Sequence, residues 1–164
     1  TAAYFDSEQV RAARDNDTGE TSEIRGLTVD GFEIELKGRV NNSLNLAVSY
    51  SDLSGETSSG GIPREIPEHT FSAFAAWEVN EMLSVGLGIT QQGESKIKDN
   101  TPGLVLPEYT RVDLSAYYQI NSNLNLQLNV ENLMDELYFP HSHSTHQASV
   151  GESVNSRLSL RWTY

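Results

Sequence analysis

The residues best suited to chemistry are three histidines near the C-terminal end of the chain. His141, His143 and His146 fall within a stretch of six residues. Neutral imidazole is a common ligand of transition metals, so this spacing could contribute to a metal site. No carboxylate lies among the three, and this incomplete ligand set favours a solvated polar loop. We therefore predict no resident metal and keep the three histidines as candidate ligand contacts.

The remaining polar residues do not form a catalytic set. Glu131, Asp135 and Glu136 are an acidic group, but no Ser, His and Asp have a recognisable triad spacing, and no glycine-rich loop precedes a helical pattern. The chain has no cysteine, and 23 acidic residues against 11 basic ones give a net charge of −12. This balance disfavours nucleic acid, whose phosphates attract basic surfaces. We predict no catalytic residues, no cofactor and no nucleic-acid partner.

A short pattern recurs three times at nearly even spacing. It consists of an apolar residue, Asn, two further residues and an apolar residue, at 40–44, 79–83 and 120–124. Each copy joins two stretches in which apolar and polar residues alternate. We interpret the copies as tight turns between antiparallel strands, in a meander whose two ends differ.

Alternation of apolar and polar residues predicts about eight strands and no helix. No apolar run approaches the length of about 18 residues that a membrane-spanning helix needs. In the second strand the apolar positions change phase, which predicts a bulge or bend near Asp30 and Gly31. The predicted strands cover 2–10, 24–40, 44–52, 70–79, 83–92, 110–120, 124–133 and 154–164.

Long polar segments separate the strand pairs at the end opposite the tight turns. They cover 11–23, 53–69, 93–109 and 134–153. Tight turns at one end and long loops at the other are typical of a transmembrane β-barrel. The fold class we predict is all-β: an antiparallel transmembrane barrel meander of about eight strands.

In a barrel the two faces of each strand meet different solvents, so the polar positions should point into the lumen. The candidates for the lumen are Arg111, Asp113, Tyr117, Gln127, Asn129, Glu131 and Arg161. Aromatic residues recur near the tight turns, as in the aromatic girdle at a membrane interface. The girdle candidates are Trp77, Tyr118, Trp162 and Tyr164. Tyr50, Tyr109 and Tyr138 are expected at the opposite interface.

The C-terminal part resembles the end of TonB-dependent outer-membrane receptors. After a "Y-x-x-V-D" strand beginning at Tyr109 comes an "N-x-x-N-L-x-D-x-x-Y" motif, and the final "SRLSLRWTY" is similar to the family's closing strand. The motif positions are Asn129, Asn132, Leu133, Asp135 and Tyr138. Upstream, Gly31 and Glu33 resemble the family's "G-x-E" strand. The resemblance covers nearly the whole chain and is strongest after residue 109.

The resemblance implies a 22-stranded barrel with an N-terminal plug, of which residues 1–164 would be the last third. Nothing in the chain resembles the plug or a TonB box. The implied function is uptake of a ferric siderophore or a similar scarce iron-containing ligand in the bacterial outer membrane. The implied partners are outer-membrane lipid, the plug domain, the TonB complex and the ferric siderophore.

Two alternatives remain open on the sequence. One is a complete eight-stranded outer-membrane barrel with a structural or adhesive role, since eight strands can close a barrel. The other is a soluble β-domain that binds glycans through its long loops, since strands in sandwiches also alternate.

Overall fold

Antiparallel strands make up the structure, a computed structural model that describes residues 1–14, 17–98 and 103–164. None of the described residues belongs to a helix of the length and hydropathy required to cross a membrane. The strands in chain order are β1 (Ala2–Arg14), β2 (Thr21–Arg39), β3 (Leu44–Thr57), β4 (His69–Glu78), β5 (Leu83–Gln92), β6 (Ser95–Lys96), β7 (Val105–Leu106), β8 (Tyr109–Asn121), β9 (Leu124–Glu131), β10 (His141–Ser144), β11 (Gln147–Ser149) and β12 (Asn155–Trp162).

The eight long strands form one sheet in the order β1-β2-β3-β4-β5-β8-β9-β12. Every neighbouring pair is antiparallel, so the sheet is a meander, and the predicted all-β fold with eight strands is confirmed. Among the described residues β1 pairs only with β2 and β12 pairs only with β9. The sheet is therefore open, which contradicts the alternative of a closed eight-stranded barrel.

The recurring Asn pattern forms the tight turns, and its Asn side chains explain why it recurs. The Asn41 Oδ1 accepts the backbone N–H groups of Ser43 and Leu44 at 2.8 and 2.9 Å. The Asn80 Oδ1 accepts two turn N–H groups in the same way, and the Asn121 Oδ1 accepts one. An Asn that binds backbone groups two or three residues ahead stabilises a turn without a second strand's help.

The predictions of a long first loop and of a bulge near Asp30 and Gly31 were wrong. β1 and β2 pair as far as Arg14 and Thr21, so the connection between them is short rather than the expected 11–23. Pairing is continuous through Asp30 and Gly31, and the register shift between β1 and β2 instead leaves Gly26 without a paired residue on β1. The change of phase has another cause: Leu27 and Val29 simply lie on the same face as Glu33, near the end of a long strand.

The other long segments carry local structure that their polar sequences did not indicate. β3 extends to Thr57, into the expected loop 53–69. The segment 93–109 contains the pair β6 and β7, and the segment 134–153 contains the hairpin of β10 and β11. We call residues 141–149 the histidine hairpin.

The sheet does not enclose an apolar core of its own. Among the described residues, only two large apolar side chains are buried, Leu106 and Tyr138. One face instead exposes a row of large apolar side chains, including Leu36, Leu158 and Leu160, which are each more than 60% exposed. This distribution contradicts a sandwich, in which such residues fill the space between two sheets.

Candidate functional site on the concave face

A recess of about 560 Å³ lies on the polar face of the sheet. Residues of six neighbouring strands line it, from Glu35 on β2 to Glu131 on β9. We call this polar face of the sheet the concave face and the opposite, apolar face the convex face. Ser49, Ser72 and Thr90 contribute hydroxyl groups to the lining. Two hydroxyl pairs bind across strands on the same face, Ser49 with Ser72 at 2.7 Å and Ser51 with Thr70.

All seven predicted lumen residues lie on this concave face. Four of them line the recess directly: Arg111, Asp113, Asn129 and Glu131. The register places the other three on the same face, because Tyr117 pairs with Gln127 and Arg161 pairs with Asn125. The structure thus brings the first four together around one space and sets Tyr117, Gln127 and Arg161 nearer the tight turns.

One apolar side chain, Phe74, also points into the recess, and the sequence did not single it out. A Cβ built on Gly86 would lie 2.9 Å from the Phe74 ring and 2.4 Å from the Ser115 Oγ. Gly88 faces the same ring at 3.7 Å. The two glycines therefore provide the space that lets the ring lie against the wall.

Arg111 and Asp113 begin a network at the loop end of the concave face. The Arg111 guanidinium donates to the Asp113 Oδ2 at 2.9 and 3.2 Å. The Asp113 Oδ1 accepts the backbone N–H of Asn132 at 2.9 Å. Both carboxylate oxygens are thus engaged, and the network ties strand β8 to the start of the last long connection.

Asn132 is the most deeply buried side chain of this network, at 1% exposure. Its amide donates to the carbonyls of Glu136 and Glu152, and its Oδ1 accepts the Glu136 N–H, all at 2.9 Å. Its φ of 51° lies in the left-handed region, which Asn adopts more readily than most residues. Asn132 therefore joins the two ends of the last connection, and the Asp135 carboxylate adds a bond to the Val154 N–H.

Tyr138 packs on the concave side, at 7% exposure. Its ring centroid lies 4.7 Å from that of Tyr109, and its hydroxyl accepts a bond from Arg111 at 3.3 Å. A Cβ on Gly151 would lie 2.2 Å from the Tyr138 ring, so only glycine leaves room there. Tyr109 and Tyr138 lie at the long-loop end, as expected, but on the concave face, where Arg111 binds Tyr138 and the two rings pack together. The expected position of these two rings at a membrane interface was therefore wrong.

The girdle candidates lie on the convex face near the tight turns. Trp77 pairs with Leu44 and Val85, Tyr118 pairs with Leu83, and Trp162 pairs with Leu124. Trp77 is 52% exposed and Trp162 is 73% exposed. Tyr164 lies just beyond β12 and is fully exposed.

The three candidate histidines lie on the histidine hairpin, and each is exposed. The ring centroids of His143 and His146 are 6.4 Å apart, edge to face. Within the ranges that the structure describes, no three or more His, Cys, Asp or Glu residues come close enough together to hold a metal ion. The geometry brings two of the three rings near each other and leaves His141 at the start of β10.

A contact that the sequence did not predict joins the histidine hairpin to the β3–β4 loop. The Glu65 Oε1 accepts the backbone N–H of Ser142 at 2.7 Å and its hydroxyl at 2.9 Å. Arg64 donates to the Ser142 carbonyl at 3.0 Å. These bonds to Ser142, with the nearby Arg64 charge, hold the pKa of the Glu65 carboxyl below its ordinary value. We call Arg64, Glu65 and Ser142 the loop strap.

Comparison with known proteins gives a consistent result. The family model described as "TonB dependent receptor-like, beta-barrel" matches residues 1–133. The probable TonB-dependent siderophore receptor PiuA of Acinetobacter baumannii is 26% identical over the whole chain. The metal-pseudopaline receptor CntO of Pseudomonas aeruginosa is 31% identical over 82% of the chain. The aligned parts are 24% and 20% of these two relatives, so the chain spans about a quarter of their length or less.

Solved structures share the fold. The crystal structure of the siderophore receptor PiuA from A. baumannii superposes with a TM-score of 0.82 at 27% identity, over 99% of this chain and 26% of that one. The ferripyoverdine receptor of the outer membrane of P. aeruginosa, bound to ferripyoverdine, gives a TM-score of 0.80 at 26% identity, over 98% of this chain and 24% of that one. Because the family model covers most of the sequence, this chain belongs to the TonB-dependent receptor-like β-barrel family, which is a family of receptors.

Proposed function

We propose that the chain forms part of the barrel wall of an outer-membrane TonB-dependent receptor that takes up a ferric siderophore or a related metal chelate. On this proposal residues 1–164 are the last third of a 22-stranded barrel, and the protein transports without catalysing a reaction. The remainder of the barrel would pair with the open edges of β1 and β12, since unpaired backbone groups are not stable in hydrocarbon.

The observation that carries the proposal is the opposite character of the two faces. Large apolar side chains such as Leu158 and Leu160 stand exposed on the convex face, with Trp77 and Trp162 at the level of the tight turns. Acyl chains would cover the apolar row, and the rings would lie at the headgroup level. The polar recess around Arg111 and Glu131 would face the lumen.

The names of the relatives support a metal chelate as the ligand. Two of them are named as siderophore and metal-pseudopaline receptors, and a third is described with ferripyoverdine bound. A metal chelate is the chemistry common to these names. The plug domain would occupy the lumen against the concave face, and the TonB complex would drive uptake.

Growth under iron limitation tests this function. The gene that encodes the chain is deleted, iron is withheld with a chelator, and ferric siderophores are supplied one at a time to the deletion strain and to the complemented strain. The proposal predicts that growth on at least one ferric siderophore is lost on deletion and restored on complementation. Equal growth of both strains on every iron source would exclude iron uptake.

A further inference from the structure

We propose that Glu65 is a positioning residue that fastens the histidine hairpin across the loop end of the concave face. This inference deepens the proposed function and rests on it for the meaning of the recess, which would be the ligand's route. The contact itself is defined by the loop strap, and its strength can be measured without any ligand.

The strap joins parts of the sheet that are not neighbours. The β3–β4 loop enters strand β4, whereas the connection that carries the histidine hairpin leaves strand β9. Strands β5 and β8 separate β4 from β9, and three strand spacings amount to roughly 14 Å along the sheet. A bond between Glu65 and Ser142 therefore requires both connections to reach towards each other.

Both connections lie on the concave side. Pro63, just before the strap, lies 2.8 Å from the Cβ position of Gly55, which shares a face with Ser49 and so points into the concavity. Tyr138, just before the histidine hairpin, contacts Arg111 on the same face. The loop strap therefore crosses the loop end of the concave face, from the β3–β4 loop to the histidine hairpin.

The N–H, the hydroxyl and the carbonyl of Ser142 all have hydrogen-bond partners within the loop strap. Its N–H and hydroxyl both reach the Glu65 carboxylate, and its carbonyl accepts a bond from Arg64. Ser142 is only 5% exposed, so its N–H and hydroxyl would lose their partner if Glu65 were removed. The Glu65 N–H also donates to the Lys96 carbonyl at 2.8 Å, which brings the β5–β8 connection into the same contact.

The backbone conformation of Glu65 is unfavourable by itself, which indicates that the contacts of this residue hold it in place. Its φ of 57° lies in the left-handed region, which is unfavourable for a residue other than Gly, Asn or Asp. The bonds to Ser142 and Lys96 offset that cost. Because neighbouring residues of a strand point to opposite faces, burying Ser142 turns His141 and His143 away from the strap and into solvent.

Hydrogen exchange on the whole receptor in detergent micelles tests the proposal. Glu65→Ala removes the carboxylate, and Glu68→Ala, three residues away in the same loop, removes an equal charge as the matched control. We expect amides of residues 141–149 to exchange at least about tenfold faster in Glu65→Ala, with β8 and β9 unchanged. Glu65→Gln keeps an acceptor oxygen, so amides of residues 141–149 in this variant should exchange faster than in Glu68→Ala and more slowly than in Glu65→Ala.

Glu65→Gly separates loss of the carboxylate from relief of the backbone. Glycine adopts a positive φ without strain, so a hairpin that exchanges as fast in this variant as in Glu65→Ala assigns the effect to the missing carboxylate. The proposal is overturned if the amides of residues 141–149 exchange within about twofold of the unchanged protein in both Glu65→Ala and Glu65→Gly. It is also overturned if Glu68→Ala speeds their exchange as much as Glu65→Ala does. Because no siderophore enters this experiment, a failure of uptake would overturn the proposed function and leave the strap standing.

Discussion

At the scale of single residues, the structure assigns roles to side chains that the sequence only marked as a motif. The similarity to the family drew attention to Asn132, Asp135 and Tyr138, but nothing local shows what they contact. Asn132 binds carbonyls four and twenty residues away, and Tyr138 needs Gly151 opposite its ring. Such roles depend on contacts that only the folded chain brings together.

Asn132→Ala should lower the stability of the last connection. The substitution removes three side-chain hydrogen bonds and leaves the carbonyls of Glu136 and Glu152 without that donor, at a cost on the order of 3 kcal/mol. Unfolding of the whole receptor in detergent by denaturant measures the change. Gln119→Ala, at an exposed position near a tight turn, is the control and should change the unfolding free energy by less than about 0.5 kcal/mol. Equal effects of both would mean that the Asn132 bonds do not contribute.

Gly151→Ala should displace Tyr138. The added methyl group would lie 2.2 Å from the ring, and overpacking of this kind costs about 1–3 kcal/mol. Gly38→Ala is the matched control, because a Cβ at Gly38 meets nothing within 4 Å. Tyrosine fluorescence and the unfolding midpoint of the whole receptor measure the difference. A midpoint that shifts equally in both variants would contradict the packing described for Tyr138.

The loop strap should loosen in acid. Bonds from Ser142 lower the pKa of Glu65 in the folded state, so its contribution is present above the ordinary glutamate pKa of about 4.3 and is lost as the pH falls through the lower, folded value. The other charges nearby are Arg64 and the ion pair of Lys96 with Glu94. Exchange of residues 141–149, corrected for its intrinsic pH dependence, should therefore rise below about pH 4. The rise should be absent in Glu65→Gln; a rise of the same size there would assign it to another group.

At the scale of elements, alternation was enough to predict eight strands, because each strand has one apolar and one polar face. The tight turns were predictable as well, since their Asn side chains act within three residues. The ends of β1 and β2 were not, because their pairing continues through sequence such as Arg11–Arg14, where no alternation of apolar and polar residues marks a strand. The loop strap could not be predicted at all, since its partners are 77 residues apart.

A larger side chain at Gly86, on the concave face of β5, should disturb the packing of Phe74. Gly86→Val would force a side chain against Phe74 and Ser115 and should reduce barrel assembly. Gly38→Val on β2, in open space, should leave assembly intact. The fraction of receptor that migrates as a folded barrel in unheated gel samples measures assembly. Loss of folded barrel in Gly38→Val alone would contradict the concave packing of Phe74.

At the scale of the whole molecule, the two faces of the sheet differ in the solvent that suits them. Exposed apolar side chains on one face and a polar recess on the other have no satisfactory arrangement in water. They do in an outer-membrane barrel, where the convex face meets lipid and the concave face meets the lumen. The sequence indicated this polarity through alternation, and with it the expectation that the polar face lines the lumen; the recess on the polar face came only from the structure.

The most direct test places one arginine on each face of β12 in the whole receptor. Leu158 and Ser159 are adjacent, and they pair with Leu128 and Gln127 of β9 on opposite faces. Leu158→Arg would put a charge near the middle of the hydrocarbon at a cost of about 2–4 kcal/mol, whereas Ser159→Arg would point into the lumen. We predict that Leu158→Arg sharply reduces folded receptor in the outer membrane and that Ser159→Arg leaves it near the unchanged level. The reverse order, or equal levels, would contradict the assignment of the two faces.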